Sequence, residues 1–289
     1  MLSAVLVLTG AAVSAVTFWP IGRQTEPIMI IGDASRGAYL ARMAGCITCH
    51  TDGENGGAPL AGGVRLKTGF GTFVTPNLTT DRQEGIGAWT LETFDRAVRQ
   101  GISPSGAPYY PAFPYAFYGR FSDRDIADLW AAFQTVPPVG LDAGAHDIRF
   151  PFNIRAGLKL WRAAFIDLAP FNPDPARSEI WNRENTSLKG PRIAVPVIRR
   201  AMPLAPGRRT TGYKVRIRCR ATARAPAITP SSLKDRGWTV SDLSYALKTG
   251  LLPDGDAFGG AMGEVVNQGT AFLTDSDRKA IATYLLETQ

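Results

Sequence analysis

Cys46-Ile47-Thr48-Cys49-His50 decides how this chain is read. Two thiols three positions apart can each form a thioether to one haem edge, and the histidine that follows can reach the iron as its proximal ligand. A zinc site would need a second ligand pair, and the only other candidates in the sequence are Cys219 and His146. A redox dithiol of the thioredoxin kind would follow a strand in a βαβ unit, and no such pattern surrounds this motif. The expectation is one covalent haem c, attached at Cys46 and Cys49 with His50 on the iron.

Covalent attachment of haem takes place outside the cytoplasm, so the chain is expected to be exported. Leu2 to Trp19 are eighteen residues without a charge, and the first charged residue is Arg23. A run of that length is just enough to span a bilayer. A cleaved leader is the alternative, but no basic residue precedes the run and the nearest cleavage-like triplet is Ala12-Val13-Ser14. Residues 1–22 are therefore read as a signal or membrane anchor, with an uncleaved anchor favoured. The lack of basic residues also raises the expectation of a start upstream of Met1.

The sequence repeats itself outward from the motif. Trp89-Thr90 opens a segment containing Gly101, Pro104 and Gly106; Trp238-Thr239 opens another containing Gly250, Pro253 and Gly255, each 149 residues after its counterpart. Ser122 and Thr274 each precede an aspartate three positions on and an apolar helical face: Ile126, Leu129, Trp130 and Phe133 in one case, Ile281, Tyr284 and Leu285 in the other. Two units of about 110 to 140 residues fit ordinary domain sizes. The segment between them, Pro137 to Pro175, is rich in proline and carries Phe150, Phe152, Trp161 and Phe171, which predicts a packed connector.

With motif and repeat established, the chain resembles the diheme cytochromes c related to the cytochrome subunits of membrane-bound alcohol and gluconate dehydrogenases. The resemblance rests on Ala44-Gly45-Cys46 through His50, Thr68 to Pro76, Tyr109-Tyr110-Pro111-Ala112-Phe113-Pro114-Tyr115, His146 to Arg155 and Gly260 to Val266. It implies an all-α fold of tandem cytochrome c-like domains behind an N-terminal membrane anchor. The expected divisions are the anchor at 1–22, a first cytochrome domain at 30–136, the aromatic and Pro-rich connector at 137–182, and a disrupted second domain at 183–289. It further implies electron transfer in the periplasm at the inner membrane, from a membrane-bound dehydrogenase toward a terminal oxidase of the respiratory chain. No acid–base pair or nucleophile is arranged for chemistry, so the chain is read as an electron carrier and not an enzyme by itself.

The stretch from Glu184 to Ala225 departs from the resemblance. By the repeat, a second haem motif belongs near 195 to 199, where Val195, Ile198 and Arg199 stand. This stretch holds 11 of the 32 Lys and Arg residues and 1 of the 25 Asp and Glu; without it, 21 basic and 24 acidic residues turn the formal net charge from +7 to −3. Codons chosen for Arg192 to Pro203, read one nucleotide earlier, spell His-Cys-Gly-Thr-Cys-His-Thr-Pro-Arg-Asn-Ala, a haem motif at the expected place. Residues 184 to about 225 are therefore read as translated out of frame, with Cys219 an accident of that frame. A genuine basic arm for nucleic acid would show a periodic face or interleaved aromatics; Tyr213 is the only aromatic, and no nucleic-acid partner is expected.

The distal ligands follow from the resemblance and the repeat. Met262 lies 24 residues after Trp238, and the resemblance makes it the distal ligand of the second haem, which the family carries and this chain as written does not. Phe113 lies 24 residues after Trp89 and cannot ligate iron. For the first haem this leaves His146, another methionine such as Met29, or an open site. The competing role for His146 is a connector histidine bonded to backbone. An open site would suit a haem enzyme such as a peroxidase or sulfur-compound oxidase. A broken gene, with only the first domain functional, is the other alternative.

Overall fold

The computed structural model describes residues 19–166, 229–259 and 261–287. The apolar run up to residue 18, the stretch 184–225 with Cys219 that is read as out of frame, and the far end of the connector lie outside the described residues.

Helix α1, Ala34–Met43, starts where the Asp33 carboxylate accepts the Ser35 and Arg36 N–H groups at 2.8 and 3.1 Å. It crosses α5, Asp123–Phe133, at close range. Gly37 makes that approach possible, since a Cβ there would overlap the Asp128 carbonyl. Asp128 itself is fully buried; it accepts the Asp33 N–H at 2.6 Å and pairs with Arg36. The α5 N-terminus has the expected capping box, with Ser122 and Asp125 satisfying each other's backbone N–H. Leu40, Ile86, Phe94, Ile126, Leu129 and Phe133 form the core between these helices.

The 149-residue repeat is also a repeat of backbone path. Thr90 caps α3, Leu91–Gln100, which ends at Gly101 with φ +62°. Thr239 caps α8, Val240–Thr249, which ends at Gly250 with φ +78°. After each glycine comes an antiparallel bridge, Ile102 to Pro108 and Leu251 to Ala257. Only a residue without Cβ takes the left-handed C′ conformation cheaply, which is why glycine recurs there.

The expectation of an all-α fold needs correcting. The protein is helix-rich, but Arg65–Thr68 (β1) and Gly71–Val74 (β2) form an antiparallel hairpin, joined by Asp147–Ile148 (β3) from the connector. The physical reason is local. Gly69 and Gly71 flank Phe70 in a tight turn, the Thr68 hydroxyl donates to the Gly71 carbonyl at 2.8 Å, and Thr72, Phe73 and Val74 have side chains suited to strands. The first residues of the connector are tied to the hairpin side, Asn77 Nδ2 donating to the Val139 carbonyl at 2.7 Å and the Thr79 hydroxyl accepting the Val139 N–H at 3.2 Å, but Phe150 and Phe152, on which the expectation of a packed connector rested in part, are exposed. The connector continues into α6, Ala156–Phe165.

Beyond it lie α7 (Pro230–Asp235), α8, α9 (Ala261–Gln268) and α10 (Asp275–Glu287), around a smaller core of Leu233, Leu243, Ala282 and Leu286. The two halves touch through α1. Tyr39 donates its hydroxyl proton to Asp277 and accepts the Thr274 N–H at 3.0 Å, and the Arg42 guanidinium lies 4.0 Å over the Phe272 ring. Among the described residues no helix is long and apolar enough to cross a membrane.

Candidate haem-binding site

The haem motif is a helix of its own, α2, Cys46–His50, set off from α1 by Gly45 with φ +77°. That left-handed residue turns the chain so that a new helical turn can start directly. Within one turn, Cys46 and Cys49 lie three apart and His50 four after Cys46, so all three share one face. Cys46 is half-buried and Cys49 exposed, while His50 is buried.

His50 Nδ1 lies 2.8 Å from the Pro76 carbonyl oxygen. A carbonyl only accepts, so Nδ1 carries the proton and Nε2 presents its lone pair. This is the tautomer and orientation that a metal-ligating histidine requires. Burial, only partly offset by the Pro76 carbonyl, lowers the His50 pKa to about 4, so the imidazole is neutral at ordinary pH. The acceptor is held in place from both sides. The Gly62 N–H donates to the His50 carbonyl at 2.8 Å, the Gly63 N–H to the Thr75 carbonyl at 2.9 Å, and a Cβ at Gly62 would overlap Pro76.

Burial pushes the Cys46 thiol up to about 12, with the neighbouring Cys49 adding to the shift. Reactive dithiols need the opposite, a depressed thiol. Two thiols beside a histidine with a free Nε2 match the donor set of a covalent haem. Around them Ile47, Trp89, Phe113 and Phe117 pack onto the main core. The Tyr118 hydroxyl donates to the Ala44 carbonyl at 2.8 Å and pins the entry to α2.

Phe113 stands in this aromatic wall, 5.6 Å from the Tyr118 ring and 6.2 Å from that of Tyr115. His146 is exposed beside the sheet, its ring 5.6 Å from Phe73 and 5.7 Å from Tyr110. Its Nδ1 accepts the Val74 N–H at 3.1 Å, which leaves the ring proton on Nε2. Met29 is almost fully exposed. Met262 is exposed on α9, the helix that lies against α2, close enough for Glu264 to act on Cys49. The structure thus groups Cys46, Cys49 and His50, and sets His146 at the sheet. Pro76 appears in the sequence only as the end of the stretch Thr68 to Pro76, and a backbone acceptor carries no residue-type signal that would single it out.

No family model matches the chain. It is 37% identical over 268 residues to a protein of Cereibacter sphaeroides described as diheme cytochrome c-type, covering 89% of this chain and 86% of that one. It is 35% identical over 298 residues to the fructose dehydrogenase cytochrome subunit of Gluconobacter japonicus, covering 98% of this chain and 57% of that one. To the cytochrome c subunit of the quinone-type alcohol dehydrogenase of Gluconobacter oxydans it is 35% identical over 274 residues, with 86% and 53% covered. The chain spans a little over half the length of these last two relatives.

Proposed function

The chain belongs to the diheme c-type cytochromes, and we propose that it passes electrons in the periplasm from a membrane-bound dehydrogenase of alcohols or sugars to the respiratory chain. Bound haem supplies the one-electron ferric/ferrous couple. The chain's own residues do the rest. Cys46 and Cys49 fix the ring by thioethers, His50 Nε2 binds the iron, the Pro76 carbonyl holds the His50 proton on Nδ1, and the aromatic wall keeps water away. The observation that carries this reading is the His50–Pro76 hydrogen bond directly behind two cysteines on the same helical face.

As written, the chain carries one haem, because Cys46 and Cys49 are its only attachment pair; Met262 would serve a second haem only in a chain with the second motif restored. The frame reading of 184–225 and the anchor at 1–22 belong to the same proposal. We assign His146 to the sheet and not to the iron, since its Nδ1 lone pair is engaged by Val74 and its other nitrogen is protonated. Together with Phe113 in the methionine position, this favours an open distal site on the first haem, the feature a haem enzyme of the peroxidase or sulfur-oxidase kind would use.

The test mixes the purified haem-loaded chain with a membrane-bound alcohol, fructose or gluconate dehydrogenase and its substrate, and follows the ferrous absorption bands. Reduction at rates useful for turnover is expected. A chain that dithionite reduces but none of these dehydrogenases does overturns the electron-carrier reading. Carbon monoxide binding to the ferrous form reports the open site; its absence overturns that part.

A further inference from the structure

Two polar side chains that follow Pro76 in the chain are buried: Asn77 is 3% exposed and Thr79 not at all. They close a ring of hydrogen bonds with the backbone of the connector. Asn77 Nδ2 donates to the Val139 carbonyl at 2.7 Å and to the Leu141 carbonyl at 3.3 Å. The Val139 N–H donates to the Thr79 hydroxyl at 3.2 Å, and that hydroxyl donates to Asn77 Oδ1 at 2.7 Å. Asn77 Oδ1 also accepts the Thr79 N–H at 2.8 Å. The carboxamide therefore uses both its N–H groups and both lone pairs of its oxygen. Because carbonyls only accept, these partners fix which way it faces. A buried ring with every member satisfied is rigid, since turning any one of them leaves a group unpaired at a cost of about 1 to 3 kcal/mol.

What this ring holds is the acceptor of the proximal histidine. The Pro76 carbonyl and the Asn77 N–H belong to one planar peptide, so fixing Asn77 fixes the direction in which that carbonyl points. On the other side of Pro76, Thr75 is held by Val64: the Thr75 N–H donates to the Val64 carbonyl at 3.0 Å, and the Thr75 hydroxyl accepts the Val64 N–H at 3.1 Å. The hydrogen bond from His50 Nδ1 to Pro76, 2.8 Å long, thus has its acceptor set by Val64 on one side and by the connector on the other. A carbonyl that accepts this proton makes the imidazole a stronger donor to iron. A stronger donor favours the ferric state and lowers the reduction potential.

We propose that Asn77 is the positioning residue of the proximal site: with Thr79 and the connector backbone at Val139 and Leu141, it aims the Pro76 carbonyl at His50 and so sets the reduction potential of the haem. The inference rests on His50 as the iron ligand and adds the residues that tune it. The full haem-loaded chain is compared with Asn77→Ala, Thr79→Val and Thr79→Ser by redox titration of the haem bands and by thermal melting. Each variant exchanges one neutral group for another, so no charge is added or removed near the iron. Asn77→Ala and Thr79→Val, the latter removing the hydroxyl at nearly constant volume, raise the potential. The expected shift is up to about tenfold in the ferrous-to-ferric ratio at fixed potential, about 59 mV for one electron. Thr79→Ser keeps the hydroxyl and leaves the potential at its original value. Should Asn77→Ala fail to fold, Thr79→Val decides. An unmoved potential in Thr79→Val, with or without a lower melting temperature, makes the ring purely structural and overturns the inference. A lowered potential overturns it too, because water entering a loosened pocket favours the extra positive charge of ferric haem. Thr79→Ser shifted as far as Thr79→Val overturns it as well, since the hydroxyl is then not the source. In all three cases haem stays covalently attached and the reading of the site stands; an unaltered chain without covalent haem overturns that reading instead.

Discussion

The two halves share a backbone unit but use it differently. In both, a tryptophan-threonine pair starts a helix, glycine ends it, and an antiparallel bridge follows, 149 residues apart. In the first half this unit closes over a helix carrying Cys46, Cys49 and His50, and Phe94, Ile126, Leu129 and Phe133 fill the core. In the second, the described core is much smaller, and the half leans on α1 through Tyr39 and Arg42. Cap and turn chemistry is thus local enough to persist where the cofactor motif does not. The Cys-x-x-Cys-His stretch at residues 46–50 has no counterpart in the sequence of the second half.

The largest expected effect breaks the first half's distinction. Cys46→Ala or Cys49→Ala abolishes stable haem staining on a denaturing gel, and a pyridine haemochrome assay of the unaltered chain gives one haem per chain. Two haems would mean that the second half carries a motif after all. Next comes Phe113→Met, which places in the first half the residue that the second has at Met262. It raises the reduction potential and brings in the weak far-red band of ferric iron–methionine coordination. A Met band in the unaltered protein would show that another methionine already binds. His146→Ala, measured beside it, leaves the spin state unchanged and costs about 1 kcal/mol for the lost Val74 hydrogen bond.

Acid tests one buried carboxylate of the first half. Burial pushes the Asp128 carboxyl up, but the Asp33 N–H and Arg36 outweigh it and its pKa lies below the usual value. A depressed carboxylate contributes stability present above its unfolded pKa and lost as pH falls through the folded one. The matching position in α10 is Ala280, counted from the caps at Ser122 and Thr274. Below about pH 4, α1 and α5 therefore lose exchange protection through this carboxylate. Asp128→Asn weakens the first half at neutral pH and flattens this dependence; an unchanged pH profile would show that Asp128 is not its source. The smallest effect is that of Tyr39→Phe. In α5 and α8 the capping aspartate accepts the N-cap N–H directly, whereas in α10 the Tyr39 hydroxyl stands between them. Its loss costs about 1 kcal/mol and is read as faster exchange at the start of α10, with the haem spectrum unchanged.

Local pattern was enough to read much of this. The spacing of Cys46, Cys49 and His50 is legible as a haem motif because three and four positions fall within one helical turn. Ser122 and Thr274 marked helix starts because a cap acts over three residues, and Gly101 and Gly250 marked their ends because the left-handed conformation selects glycine. The hairpin at 65–74 has local signals, Gly69 and Gly71 around its turn and Thr72, Phe73 and Val74 in its strand, which an all-α expectation drawn from resemblance does not use, whereas its third strand, Asp147-Ile148, comes from some 75 residues on and has no local signal. The role of Pro76 was hidden for a related reason: a backbone carbonyl has no residue type, and only folding brings it to within 2.8 Å of His50.

The sequence by itself determined the cofactor chemistry, the repeat and the helix ends, all set by contacts between near neighbours in the chain. Only the tertiary structure decided which tautomer His50 adopts, where the His146 lone pair goes, and that Arg162 turns inward while Leu160 faces out. Each of these depends on a partner distant in sequence, Pro76, Val74 or Tyr115, and no local pattern encodes which distant group will arrive.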